Sequence, residues 1–409
     1  MNSSLAALNA LNFFMADVHG GLGPFLGVFL QARQWSPAQI GIVMTIGGIA
    51  GMVVTTPAGA LVDRTRHKRT IVVATAVIIT VASLAILVKP DFVVVSGAQI
   101  ISGIAGAAIG PAIAAITLGL VRQTGFAHQL GRNEAFNHGG NVVAAALAGG
   151  IGYFAGLSAV FVILAVMALF SIVAACFIDP HQIDHRAARG AGPNQDDGVA
   201  SFAVLLRSKE LMVLGATLTL FHLGNAAMLP LLGQAGVAHD GSNPSAFTAA
   251  TIIVAQTAMV PVALLAARLA QSQGYWMVFL LALIALPVRG LTACLVSGPL
   301  GLAPVQILDG VGAGILGVAV PGLVARILSG TGHVNAGLGA VMTLQGVGAA
   351  LSPAIGGVVA QRFGYPAAFL SLGAIAAIAL ALWLLARPLM APACARPPEK
   401  GAVAAKLAA

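Results

Sequence analysis

Between two long apolar runs the chain reads Gly59-Ala60-Leu61-Val62-Asp63-Arg64-Thr65-Arg66-His67-Lys68-Arg69. Residues 37–62 before the cluster and 70–88 after it are uncharged apart from Asp63's neighbours within the cluster itself. A bilayer core takes about 20 apolar residues of helix per crossing. The cluster is therefore a loop between two crossings, and its Lys/Arg excess marks the cytoplasmic face. Working outward, the same alternation gives twelve apolar runs, over roughly 5–31, 37–62, 70–88, 92–121, 134–156, 159–178, 203–233, 246–267, 275–297, 300–328, 334–360 and 366–386. The 409 residues are 58% hydrophobic and only 8% charged, where soluble domains carry about 25% charge. So little charge cannot clothe a water-facing surface. The runs are continuous, unlike the alternating ten-residue segments of a membrane β-barrel.

Polar gaps between the runs differ by side. Gaps after even-numbered runs, with the C-terminal tail, hold Arg64, Arg66, Lys68, Arg69, Arg122, Arg132, Arg186, Arg189, Arg207, Lys209, Arg268, Arg326, Arg387, Arg396, Lys400 and Lys406, sixteen of the 20 basic residues. The opposite side has Arg33, Lys89 and Arg362, and Arg289 lies inside a run. Both termini are therefore expected in the cytoplasm. The net charge of +8 follows from this sidedness. Without aromatic interleaving, it does not indicate nucleic acid. Cys176, Cys294 and Cys394 are odd in number and lack paired spacing, so neither a disulfide framework nor a metal cluster is expected. The first run lacks a basic leader and reads as an uncleaved span.

The longest polar stretch divides the runs six and six. The expected organisation is a six-helix bundle over 1–178, a cytoplasmic linker over 179–202 with a short surface helix near Phe202 to Arg207, a second bundle over 203–386 and a tail over 387–409. The halves match at an offset of about 207. Gln99-Ile-Ile-Ser-Gly103 faces Gln306-Ile-Leu-Asp-Gly310, Gly149-Gly150 faces Gly356-Gly357, and Pro24 and Pro57 face Pro230 and Pro261. Six crossings return the chain to its starting side, so the repeat is parallel, with a site expected at mid-membrane between the halves.

The loop at 59–69 resembles the signature Gly-x-Leu-x-Asp-Arg-x-Gly-Arg-Lys of the major facilitator superfamily. Gly59, Leu61, Asp63, Arg64 and Lys68 match, while Arg66 and His67 stand where that family has Gly and Arg. The resemblance implies an all-α integral membrane protein with twelve transmembrane helices in two pseudo-symmetric six-helix bundles. It also implies an inner-membrane location and secondary transport of a small organic molecule by alternating access. In that family this loop latches the two halves, a role carried here to Asp63 and Arg64. Proton-coupled export by antiport is the expectation on the resemblance, and uptake by symport is the alternative. Exporters of the family place an Arg where this chain has Gln99, and a proline in span five that this chain lacks. A metal or metal-chelate transporter and a non-transporting sensor are the remaining alternatives.

Charged and polar side chains inside spans are costly and point to function. Asp17 lies about 12 residues, or ~18 Å, into span one. With His19 and the following Gly20-Gly21-Leu22-Gly23-Pro24 it suggests a locally unwound helix that turns both groups toward one cavity. A poorly hydrated carboxylate there suits a group that loads and unloads a proton, and anchoring a neighbouring helix is its other reading. Asp309 in span ten is the second carboxylate, with Arg289 of span nine at similar depth as its possible partner. In span five, Glu134, Asn137, His138 and Asn141 follow i, i+3, i+4, i+7 and form one polar stripe. Span seven adds His222 and Asn225, and Gln345 of span eleven occupies the repeat position of His138. The histidines bear no metal-site spacing. No phosphate loop, zinc-protease motif or nucleophile elbow occurs, so neither an enzyme nor a cofactor is expected. The expected partners are the small-molecule substrate, protons and the lipid bilayer, for a monomer.

Overall fold

A computed structural model describes residues 3–19, 22–185, 187–189, 208–240, 243–296, 299–328 and 334–395. The expected surface helix near Phe202 and the tail beyond Ala395 lie outside the described residues. Every regular element within them is a helix. Span one is α1 (Ser3–His19) and α2 (Gly23–Gln31), span two α3 (Pro37–Arg64) and span three α4 (Lys68–Val88). Spans four and five form α5 (Phe92–Ala155), broken at Arg122, whose φ of 55° interrupts the helix. Span six is α6 (Ala159–Cys176). Span seven is α7 (Lys209–Asn225) and α8 (Met228–Asp240), and spans eight to twelve are α9 (Pro244–Gln273), α10 (Tyr275–Leu295), α11 (Pro299–Ile327), α12 (Val334–Phe363) and α13 (Tyr365–Leu385). The tail begins with α14 (Arg387–Cys394).

Eleven of these helical stretches are long and apolar enough to cross a membrane. The second arm of α5 is the one expected span outside that set, because its polar stripe lowers its hydropathy. Its start also differs from the sequence expectation. The helix resumes directly after Arg122, so Arg132 lies within it and not in a loop, and Glu134 lies well inside it and not at its start. Helix ends are capped by short side chains: Ser36 and Gln39 form a capping box on α3, and Asp91 and Asn243 accept backbone N–H groups of α5 and α9. The Val94 N–H and the Lys89 ammonium hold the Asp91 carboxyl below the usual range. Gly156 and Gly364, with φ of 81° and 85°, make the tight turns after spans five and eleven, at repeat-related positions.

Two apolar cores form, one from spans one to six with Ala249 of span eight and one from spans seven to twelve with α14. Within each half glycine permits close helix crossings. Gly47 and Gly51 of α3 face Gln99 and Gly103 of α5, and Gly310 and Gly314 of α11 face the α9 backbone from Ala255 to Ala263. The repeat inferred from Gln99/Gln306 and Gly103/Gly310 is thus the repeat of one crossing. Spans one and seven break at matching depth, after His19 and after Asn225, a few residues before Pro24 and Pro230. The Ser352 hydroxyl accepts the Ala227 N–H freed by the second break (2.9 Å).

The halves touch at the end opposite the chain termini. Gly41 of α3 abuts the Pro353 carbonyl of α12, Gly357 abuts the Pro37 carbonyl, and Thr45 Oγ1 accepts the Ala354 N–H at 3.0 Å. Gln31 Nε2 donates to the Gln234 carbonyl (3.1 Å) and to Tyr365 Oη (3.0 Å). Gly149 and Gly152 of α5 pack on Ala249 and Ser245 of α9. Along α3 this contact reaches Met52, against Gly346.

At the termini end, 3-10 turns at Pro180–Gln182 and Ala187–Arg189 dock the first part of the linker against Gly119. Arg122 pairs there with Asp184 at 3.4 Å. The tail helix α14 buries Met390 and Cys394, and Arg326 donates to the Ala395 carbonyl.

Candidate functional site

The second arm of α5 starts about eleven residues before Glu134, which places Glu134 roughly 17 Å into the helix. Beside it is a cavity of about 250 Å³, walled by α1 and both arms of α5. Asn12, His19, Asn133, Glu134 and Asn137 supply its polar surface. Met15, Ile109, Ile113 and Leu130 supply the apolar wall, and Gly110 opens onto it. A hydrogen-bonded network underlies the cavity. Gln129 Nε2 donates to Asn9 Oδ1 (2.8 Å) and Asn133 Oδ1 (3.0 Å), and Asn133 Nδ2 donates to Thr117 Oγ1 (2.9 Å). These bonds let Gln129, Asn133 and Asn9 be buried at 3% exposure or less, since polar groups taken from water need partners. Sequence reading missed Gln129 and Asn133 because span five was expected to start only at Glu134, and it missed Asn9 and Asn12 because they are lone uncharged polar residues in span one. The signal available was spacing: 129, 133, 137 and 141 lie four apart on one helix face.

Not every expected grouping forms. Helix α1 stays regular through His19, and the break comes only after it. Asp17 and His19, two residues apart, therefore face about 200° apart. His19 reaches the cavity, whereas Asp17 is half-buried one turn beyond Phe13, on the face where α1 crosses α5 at Gly140. Asp17 has no hydrogen-bond or ion-pair partner among the described residues. In the polar stripe, Asn141 Nδ2 donates to Asn137 Oδ1 (3.3 Å), and His138 Nδ1 bonds Gln256 Oε1 at 2.7 Å. That second bond joins α5 to α9, hence one half to the other.

The second half holds its own polar cluster. Arg289, fully buried, pairs with Asp309 (2.7 Å) and donates to Asn225 Oδ1 (2.6 Å). One guanidinium thus ties the broken end of α7 to α11. Its Nε and Nη2, and both polar atoms of the buried Gln306, have no protein partner. His222 Nε2 bonds Gln345 Nε2 at 3.1 Å, linking α7 to α12. Gln99 belongs to the α3–α5 crossing, where its backbone carbonyl faces Gly47. Asp17 and Asp309 are not joined by any chain of bonds among the described residues.

At the loop that opened the sequence, Lys68 is buried at 1% exposure and folds back on the end of α3. Its ammonium donates to the Val62 (2.7 Å) and Thr65 (3.0 Å) carbonyls. A cation there satisfies helix-end carbonyls and the negative end of the helix dipole. Arg69 donates to the Cys176 carbonyl at 3.1 Å, tying the loop to span six. Asp63 and Arg64 are exposed, and Gly59 is half-buried. The described residues include no group of three or more His, Cys, Asp or Glu able to hold a metal ion.

The comparisons with known proteins agree with this architecture. A family model described as Major Facilitator Superfamily matches residues 4–294. Two uncharacterized MFS-type transporters of Mycobacterium tuberculosis, MT2531 and Rv2456c, are each 45% identical over 386 residues, spanning 93% of this chain and 92% of theirs. The crystal structure of the nucleoside transporter NupG superposes with a TM-score of 0.74 at 15% identity, over 94% of this chain and 99% of that one. A bacterial homologue of the human lysosomal transporter Spinster, solved inward-facing and unoccupied, superposes with a TM-score of 0.77 at 14% identity, over 96% and 98%. At such identities the two structures speak for the fold. With its twelve-helix repeat, loop signature and close relatives, the chain belongs to the major facilitator superfamily.

Proposed function

We propose that the chain is a proton-coupled secondary transporter that exports a small organic molecule across the inner membrane by antiport. The observation that carries this reading is the one-sided contact between the halves. They meet from Pro37 to Met52 on α3 and from Gly346 to Gly357 on α12, away from the termini. Sixteen of the 20 basic residues make the termini side cytoplasmic. The polar cavity on α1 and α5 would then be loaded from the cytoplasm.

Asp17 is the proposed proton carrier. It has no cation to release, whereas Asp309 is held by Arg289. Cargo cavity and carrier then lie on opposite faces of α1, coupled through the helix that breaks just beyond both. Asp309, Arg289, Asn225, Gln306, His222, Gln345 and Gln99 are proposed to shape the second wall and its packing. Asn137, His138 and Asn141 line the passage between the halves. Gly59, Asp63, Arg64 and Lys68 form the latch loop. Uptake by symport is the second reading, favoured by Gln99 and the absence of proline from span five.

A compound-library thermal-shift screen on the purified chain would supply a cargo. Proteoliposomes with a trapped pH dye would then report cargo-linked proton movement under an imposed gradient. Proton entry into the lumen together with the cargo means symport, and opposed fluxes mean antiport. Cargo movement without protons, or proton movement unchanged in Asp17→Asn, would sink the coupling proposal.

A further inference from the structure

The first-half cavity has a charge character that the transporter reading leaves open. Of the eleven residues around it, Glu134 alone carries a formal charge at neutral pH, and it has no ion-pair or hydrogen-bond partner among the described residues. His19 is the cavity's other titratable group. The one Arg buried in the spans, Arg289, belongs to the other half and is committed to Asp309 and Asn225.

The remaining polar groups offer one acceptor and one donor beside that carboxylate. Asn12 uses its Nδ2 on the Leu8 carbonyl (2.8 Å), which leaves its Oδ1 as an acceptor. Asn133 spends its oxygen on Gln129 and a nitrogen on Thr117, and belongs to the floor. Asn137 accepts from Asn141, so its own amide nitrogen stays available. The cavity therefore presents a carboxylate, the Asn12 amide oxygen and the Asn137 amide nitrogen on one side, and Met15, Ile109, Ile113 and Leu130 on the other. A methionine and branched aliphatics form an adaptable apolar wall. At about 250 Å³ the space lies just below the range of about 300–1,000 Å³ typical of drug-sized ligands.

We infer that this cavity binds a compact organic cation, a protonated amine on an apolar body, with Glu134 as its counter-ion. The inference rests on the reading of the cavity as a cargo site. A cation is drawn to the one carboxylate of the cavity, which is exposed at its surface, whereas an anionic guest would meet like charge with no Lys or Arg in the lining to offset it. Gly110 sets the size limit. A Cβ placed there meets nothing within 4 Å, so a long side chain would extend into the cavity without disturbing the helix packing.

The test is equilibrium binding of radiolabelled benzylamine, a protonated amine at neutral pH, to the full chain in nanodiscs, with phenylacetate and benzyl alcohol as competitors. The wild-type chain is expected to bind the cation saturably. Phenylacetate should not compete, and benzyl alcohol should compete only weakly. Glu134→Gln should weaken binding about ten- to a hundredfold, the worth of hydrogen bonds to a charged group. Glu134→Asp should keep most of it, and Gly110→Leu should lose it, with thermal unfolding of each variant checked in parallel.

The inference is overturned by absence of saturable cation binding, by equal competition from phenylacetate, or by wild-type binding in Glu134→Gln or Gly110→Leu. A Glu134→Asp chain that loses the probe as fully as Glu134→Gln overturns it as well. Cation binding without any cargo-linked proton movement would end the coupling proposal and leave this one standing. Proton-linked transport of a different cargo, with no cation binding, would do the reverse.

Discussion

Arg289 has no exposure to solvent, and its carboxylate partner Asp309 is 14% exposed. Removing one member of such a pair leaves a charge stranded, at a cost of about 3–5 kcal/mol, while removing both charges together is far milder. Arg289→Met is expected to lower the unfolding temperature sharply, and Arg289→Met with Asp309→Asn to recover most of the loss. Thermal unfolding of the purified chains checks this, and equal losses in the single and double variants would contradict it. The two residues are visible in the sequence because nothing in their surroundings can solvate them. Their third member, Asn225, is visible only as half of a polar pair with His222, since a bond across 64 residues leaves no periodic trace. His138 and Gln256 show the same limit. The polar stripe on span five is readable from spacing alone, but its partner on span eight is a matter of tertiary packing. Glu134 was misplaced for a different reason. Its polar neighbours lower the hydropathy of the helix start, and only the bonds to Asn9 and Thr117 make their burial tolerable.

Among the helices, the α3–α5 crossing depends on an absent side chain. A Cβ on Gly103 would overlap the Gly47 carbonyl, whereas one on Gly106, a turn further along, meets nothing within 4 Å. Gly103→Ala should therefore destabilise by about 1–3 kcal/mol, the usual toll of overpacking. Gly106→Ala should be neutral or slightly stabilising, because Ala is the better helix former. Chemical unfolding of the two variants side by side decides the matter, and indistinguishable midpoints would refute the close-crossing account. This crossing was legible beforehand as the Gln99–Gly103 and Gln306–Gly310 repeat, since close backbone approach demands glycine. The helix breaks were only half legible. Glycines and prolines announce them in span one, but they do not say on which side of His19 the helix ends. Span seven shows little beyond Pro230, and its break is secured by Ser352 from another helix.

Across the whole molecule, the membrane helices are readable from where charge is permitted, and the expected sidedness and six-and-six division rest on the same pattern. Which end is shut does not follow, because both states of a rocking pair of bundles obey the same pattern. The seam makes a direct prediction. With Cys176, Cys294 and Cys394 replaced, Thr45→Cys and Ala354→Cys should cross-link under mild oxidant, stop transport and release it on reduction. Normal transport by the cross-linked protein would show that the seam does not open during turnover. That seam is built of backbone fit at Gly41, Gly357 and Gly149 and of neutral hydrogen bonds at Gln31 and Thr45. No ion pair joins the halves there among the described residues. Dissolved electrolyte screens charges and leaves such contacts almost untouched. The barrier on that face therefore holds alike in dilute and in briny surroundings, and the medium bathing it exerts little hold over when it opens.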